Sequence, residues 1–166
     1  MDAQISRRMF LHGLEGNSQG VKATLLRGRF PDILTPDFQG SLEQRMAALA
    51  NLLGEDQGWT LIGSSFGGLM AALWALRRPW QVRRLVLLAP ALVWPDFAAL
   101  VERQDFRPVT VPALVYHGRR DEIVPLAPVR HLAQRAFTTL EFHEVDDDHG
   151  LYQTVHALDW QTILDD

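Results

Sequence analysis

Apolar residues fall into two rhythms that alternate along the chain. Short runs of strand formers occur at residues 8–11, 33–35, 59–62, 85–89, 113–116 and 140–145. Each run is too short for a helix, and most are closed by Gly, Pro or Asp. The run Leu85-Val86-Leu87-Leu88-Ala89 is apolar at every position, the pattern of a strand covered on both faces of a parallel sheet. Between the runs, apolar residues recur at helical spacing. Leu42, Met46, Leu49, Leu52 and Leu53 share a helix that Ser41 opens, with Gln44 in the capping-box position and Gly54 at its end. Further helices are expected over 21–27, over 69–76 ahead of Pro79, over 128–136 and over 151–164, while 91–111 reads as irregular. Six strands alternating with helices predict an α/β fold, a three-layer, doubly wound parallel sheet of about six strands. No repeat, low-complexity segment or boundary breaks the pattern, so residues 1–166 are expected to form one domain. A domain of that size buries roughly 70 % of the surface its unfolded chain exposes and needs no disulfide or metal to hold it.

Ligands of such a sheet bind at the carboxyl ends of the strands, where the winding reverses. Two stretches are expected there. The first is Gly63-Ser64-Ser65-Phe66-Gly67, standing between the 59–62 strand and the 69–76 helix. Gly-x-Ser-x-Gly in a strand, turn, helix setting reads as a nucleophile elbow. The glycines answer a steric need: so sharp a turn strains the serine backbone, and flanking side chains would collide with the neighbouring strand and helix. The serine oxygen then emerges at a helix N-terminus, where backbone N–H groups and the dipole favour a developing negative charge. Ser65 is therefore the candidate nucleophile. The second stretch is His12-Gly13-Leu14, which alone would be an ordinary strand end. Facing the elbow, it would bring the Leu14 N–H to that of Phe66, and two such groups on one oxygen make an oxyanion hole.

A serine hydroxyl is a weak nucleophile without a base and a group to orient that base. Of the six histidines, His149 follows the last strand in Asp146-Asp147-Asp148-His149-Gly150 and is the candidate base. His117, beside Gly118, is read as closing its strand, and His131, His143 and His156 as surface or core residues within helices and strands. Asp121 follows the 113–116 strand at the same edge and is the candidate orienting acid, with Asp96 after the fourth strand as its rival. Asp37 is read as a loop brace. Leu92, Trp94, Ile123 and Leu151, with Leu14, Phe66, Val93 and Phe97, are candidates for an apolar substrate pocket, each also readable as core.

Composition narrows the partners. A formal net charge of −4 argues against a general nucleic-acid binder. The absence of cysteine excludes disulfides and thiol chemistry. Ser6-Arg7-Arg8 looks like the start of a twin-arginine export signal, but the long apolar stretch such a signal needs does not follow. No window reaches the roughly 18 apolar residues of a membrane span, so a soluble, cytoplasmic protein is expected.

Taken together, His12-Gly13, the elbow, the stretch from His117-Gly118 through Asp121 to Val124-Pro125, and Asp148-His149-Gly150 resemble the α/β-hydrolase superfamily. The chain order Ser65, Asp121, His149 is that family's triad order. Leu11-His12-Gly13-Leu14 followed by Lys22-Ala23, with Gly63-Ser64-Ser65-Phe66-Gly67-Gly68, is similar in particular to the small lidless bacterial serine esterases of the YqiA type. The likeness covers nearly the whole chain. It implies a carboxylic ester hydrolase acting through an acyl-enzyme on small esters of short or medium acyl chain. Ser65 would be the nucleophile, His149 the base and Asp121 the orienting acid, with no cofactor and no metal. Two departures stand out. The strands that normally precede the His-Gly strand are missing, which truncates the fold, and residues 91–110 are too few for a cap domain, which leaves the site open. A thioesterase or lipase on the same triad, an idle triad on a binding protein, and a metal site of His143, Glu144, the aspartates and His149 are the alternatives.

Overall fold

A computed structural model describes residues 6–165. Five strands form the sheet: β1 (Arg7–Leu11), β2 (Trp59–Ser64), β3 (Val82–Leu88), β4 (Ala113–Gly118) and β5 (Leu140–Val145). They lie side by side in chain order and all run parallel. The helices are α1 (Val21–Arg29), α2 (Leu42–Leu53), α3 (Phe66–Arg77), α4 (Pro95–Val101), α5 (Leu126–Ala136), α6 (Tyr152–Ala157) and α7 (Trp160–Asp165). The capping box on α2 forms in both directions: Gln44 N–H donates to Ser41 Oγ at 3.2 Å, and Ser41 N–H to Gln44 Oε1 at 2.8 Å.

Strand alternation divides the core into two layers. Met9, Leu11, Leu61, Leu87 and Val115 point to the face covered by α2, α3, α4 and α5. Phe10, Ile62, Val86, Leu88 and Leu114 point to the other, covered by α1, α6 and α7. Each such leucine removed from water contributes roughly 1.5–3 kcal/mol, so strand order and register are fixed by which residues must be dry. The register brings Leu11 opposite Gly63 and Ser64 opposite Leu88, which aligns the carboxyl ends of β1, β2 and β3 on one rim. No helix among the described residues is long and apolar enough to cross a membrane.

Three sequence expectations are corrected. The sheet has five strands, because the 33–35 run contributes only a parallel bridge between Leu34 and Met9. Phe10 N–H donates to the Leu34 carbonyl at 2.8 Å and Leu34 N–H to that of Arg8 at 3.0 Å. Pro31 and Pro36 flank the run and have no N–H to extend the ladder. Met9 meets Leu61 of β2 on its other edge, so the winding still reverses at β1. The 91–111 stretch is not wholly irregular, since Pro95 opens α4 from a first-turn position. The last helix is broken in two at Leu158, where Asp159 starts α7 by accepting from Thr162 N–H at 3.2 Å and Thr162 Oγ at 2.7 Å.

Candidate active site

The elbow between β2 and α3 is built as its glycines suggest. Ser65 sits at φ 54°, ψ −112°, in the left-handed half of backbone space that L-residues occupy only when the surroundings hold them there. A Cβ on Gly63 would lie 2.7 Å from Gly68 Cα, one on Gly67 would run into the Leu11 and His12 carbonyls, and one on Gly68 would lie 2.8 Å from Pro90 Cβ. Glycine is what lets β1, the elbow and the turn after β3 meet. Ser65 N–H donates to the Leu88 carbonyl at 2.9 Å, and Ala91 N–H donates back to the Ser65 carbonyl at 3.0 Å. Ala89 and Leu151 are the other non-glycine residues with positive φ among those described. Ala89 follows β3 at the same rim, and Leu151 is two residues past His149.

Three side chains from three loops converge above that rim. His149 Nε2 lies 3.0 Å from Ser65 Oγ, and its Nδ1 lies 2.8 Å from Asp121 Oδ2. The Asp121 side chain has no accessible surface, while a quarter of the His149 side chain is exposed. Asp121 Oδ1 accepts the N–H groups of Ile123 and Val124 at 2.9 and 2.8 Å, and its Oδ2 also lies 3.3 Å from Nε2 of His117. The His117 ring is buried, and its Nε2 lies 2.9 Å from the Val124 carbonyl. A carbonyl can only accept, so that nitrogen carries the proton and Nδ1, which has no partner, carries none. Burial, the largest influence, pushes the His117 pKa below the usual histidine value, which keeps the ring neutral.

The loops carrying Asp121 and His149 are tied to each other. Arg119 N–H donates to the Val145 carbonyl at 2.8 Å and Arg120 N–H to the Asp147 carbonyl at 3.1 Å. Gly118 allows this approach, since a Cβ there would collide with the Asp147 carbonyl. Buried Asp147 then pins the start of α6, accepting Thr154 N–H at 3.0 Å, Thr154 Oγ at 2.8 Å and Asp148 N–H at 2.8 Å. Desolvation works to raise its pKa, but these hydrogen bonds outweigh it and hold the carboxyl below the usual value.

The His12-Gly13-Leu14 loop lies against the elbow, a Cβ on Gly13 falling 3.5 Å from Ser65 Cβ. Its orientation is set by the His12 ring. Phe38 N–H donates to Nε2 at 2.8 Å, so the proton is on Nδ1, which donates to the Gly13 carbonyl at 2.6 Å. Gly16 N–H reaches the same carbonyl at 3.1 Å. A trans peptide points its N–H opposite to its C=O, so the Leu14 N–H is turned away from this cluster. Asp37 braces the loop from below, accepting Ser18 N–H at 2.6 Å and Ser18 Oγ at 3.0 Å, and those bonds lower its pKa.

Other candidates are sorted by position. Asp96 lines a surface cavity with Leu42, Met46 and Arg77, away from the histidine; it is Asp121 that His149 meets. Leu92 and Leu151, expected in the substrate pocket, have no accessible surface and pack in the two core layers, as does Phe97. Trp94 is partly exposed, with its ring edge-on to Phe66 at 5.1 Å, and Ile123 is exposed beside Asp121. The residues of the metal alternative disperse: His143 pairs with Glu141, Glu144 with Arg119 and Arg130, and Asp146 with Arg120. What sequence reasoning missed is the His117 contact with Asp121 and the Asp147 brace, neither of which the pattern marked.

The family model for the alpha/beta hydrolase fold matches residues 9–110, and the chain belongs to that family. In sequence it is similar to homoserine O-succinyltransferase of Neisseria gonorrhoeae, at 34% identity over 86 residues, or 49% of this chain and 22% of that protein. The chain spans about a fifth of the length of the curated relatives it matches. Among solved structures it is similar to alpha/beta hydrolase domain-containing protein 10 from mouse, with TM-score 0.78 and 20% identity over 99% of this chain and 92% of that one. It is also similar to Est1E from Butyrivibrio proteoclasticus, with TM-score 0.73 and 17% identity over 96% of this chain and 89% of that one.

Proposed function

We propose that the chain hydrolyses carboxylic esters at Ser65 through an acyl-enzyme. One observation carries this reading, the unbroken line from Ser65 Oγ to His149 at 3.0 Å and on to Asp121 at 2.8 Å. With Asp121 accepting from Nδ1–H, Nε2 is left bare and can take the Ser65 proton. As Oγ attacks the ester carbonyl carbon, that proton passes to Nε2, and the carbonyl oxygen gains the charge that the Leu14 and Phe66 N–H groups stabilise. The tetrahedral carbon then expels the alkoxy oxygen, which leaves as the alcohol with the proton from Nε2. Water repeats the sequence on the acyl-Ser65, giving its proton to Nε2 while the acid departs and Ser65 regains its hydrogen. Leu14, Trp94 beside Phe66 and Ile123 beside Asp121 are exposed apolar residues, and apolar surface of that kind suits short or medium acyl chains.

The likeness to a homoserine O-succinyltransferase favours a second reading, in which an alcohol rather than water receives the acyl group. Turnover of p-nitrophenyl butyrate with and without homoserine separates the two, since an acyltransferase forms the homoserine ester. Ser65→Ala is expected to lower either activity by about 10⁵–10⁶-fold while the protein stays folded. Turnover retained in that variant would refute Ser65 as the nucleophile.

A further inference from the structure

Lys22 is the one lysine in the sequence. It stands in the first turn of α1 and lines a cavity of about 120 Å³ with His12, Gly13, Asn17, Ser64 and Tyr152. This cavity lies beside the candidate active site, since a Cβ on Gly13, one of its lining residues, would fall 3.5 Å from Ser65 Cβ. Ser64 immediately precedes Ser65, and Gly13 immediately precedes Leu14. Tyr152 lies over Gly150, its Cε2 2.6 Å from where a Cβ on that glycine would be, and so adjoins His149.

The lysine is half-buried, yet its charge is incompletely answered. The ammonium lies 5.0 Å from the centre of the Tyr152 ring and makes no hydrogen bond or ion pair among the described residues. Burial pulls its pKa below the usual lysine value, and the nearby charges of Asp147 and Asp148 pull it only part of the way back. Those two carboxylates are occupied elsewhere, Asp147 with Thr154 and Asp148 with the Gly150 N–H at 3.0 Å. Nothing acidic stands in the first turn of α1, and its Gly20 cap offers no side chain to the turn. A partly desolvated ammonium with unfilled hydrogen-bonding capacity is completed by an anion. A carboxylate with one or two methylene groups is of a size to enter the cavity, and the approach of Gly13 to Ser65 sets the cavity beside the elbow.

We propose that this cavity is an anion subsite of the candidate active site, which takes a carboxylate carried on the substrate, so that half-esters of short dicarboxylic acids are preferred to neutral alkyl esters. The proposal rests on the hydrolase reading for its chemistry but not for its binding. Two measurements keep them apart. In the first, kcat/KM is measured for monomethyl glutarate and for methyl pentanoate. Lys22→Gln is expected to lower the ratio of the two by about tenfold, the scale of one charge-assisted hydrogen bond, and Lys22→Arg to restore most of it. In the second, Ser65→Ala protein carrying ¹³Cε-lysine, which gives a single lysine signal, is titrated with glutarate and with glutaramide. A saturable shift with glutarate alone is expected. An unchanged substrate ratio in Lys22→Gln, or no shift with glutarate, overturns the subsite even if esters are hydrolysed. A glutarate-specific shift in Ser65→Ala, together with no ester turnover by the native chain, sustains the subsite and counts against the hydrolase reading.

Discussion

The same dipeptide, His-Gly, follows β1 and closes β4, and both histidines are buried, yet they are wired differently. At the end of β1, both ring nitrogens of His12 are engaged, one by the Phe38 N–H and the other by the Gly13 carbonyl. At the end of β4, His117 uses Nε2 for both the Val124 carbonyl and Asp121, and leaves Nδ1 unpartnered. The first arrangement aims a peptide group, and a single tautomer with two good hydrogen bonds is enough. The second surrounds a carboxylate. The Asp121 side chain is inaccessible and accepts from the Ile123 and Val124 N–H groups and from His149, with His117 Nε2 a further 3.3 Å away. A buried nitrogen without a partner costs about 1–3 kcal/mol, and at β4 that cost accompanies a ring whose other nitrogen bonds the Val124 carbonyl and stands beside Asp121. One side of the site is thus held by geometry and the other by electrostatics.

The contrast can be broken from either side. The largest effect is expected on the β4 side, where Asp121→Asn loses the charge that fixes the His149 tautomer; ester turnover should fall by about 10⁴-fold with the fold intact. Equal activity in Asp121→Asn would mean that the carboxylate is structural. On the β1 side, His12→Ala frees the Gly13-Leu14 peptide without touching the Ser65–His149 pair. It should lower kcat by about 10²-fold, the loss of one oxyanion donor, with a smaller change in KM; a change confined to KM would remove Leu14 from the oxyanion hole. The smallest effect concerns pH. His117 has a depressed pKa in the folded protein, so below the unfolded histidine value the unfolded chain binds the extra proton and the folded chain does not. Its contribution therefore destabilises the fold as pH falls through that value and is absent above it. Urea midpoints measured between pH 5 and 8 should decline less steeply toward acid in His117→Phe than in the native protein, although that variant is the less stable at pH 8. Parallel profiles would show that the His117 ring takes up its proton without resistance.

The elements that were legible in sequence are those whose signal is local. The capping box at Ser41 and Gln44, the apolar run of β3 and the glycines at 63 and 67 each state a geometric requirement within a few residues. The 33–35 run misled because its apolar character is that of a strand, while the prolines at 31 and 36 withdraw the donors a ladder needs. Leu92 and Leu151 misled for a different reason. They stand in loops next to the site in sequence, but Leu151 adopts φ 53° and is buried in the α1 layer, a turn that its neighbours do not announce. Ser65, Asp121 and His149 were legible as candidates through motif and chain order. Their separations were not, because loop positions 28 and 84 residues apart are brought together only by the register of four different strands. The role of His12 as a brace with a fixed tautomer was equally out of reach, since the Phe38 N–H it meets is 26 residues further on.

On the proposed reading, Ser65 is made nucleophilic by His149. Exposure to a fluorophosphonate, followed by mass spectrometry of the peptides, tests it most directly. A single adduct on the peptide containing Ser65, absent from Ser65→Ala and strongly slowed in His149→Ala, is the expected result. Labelling that proceeds at the native rate in His149→Ala, or that falls on a different serine, would contradict it.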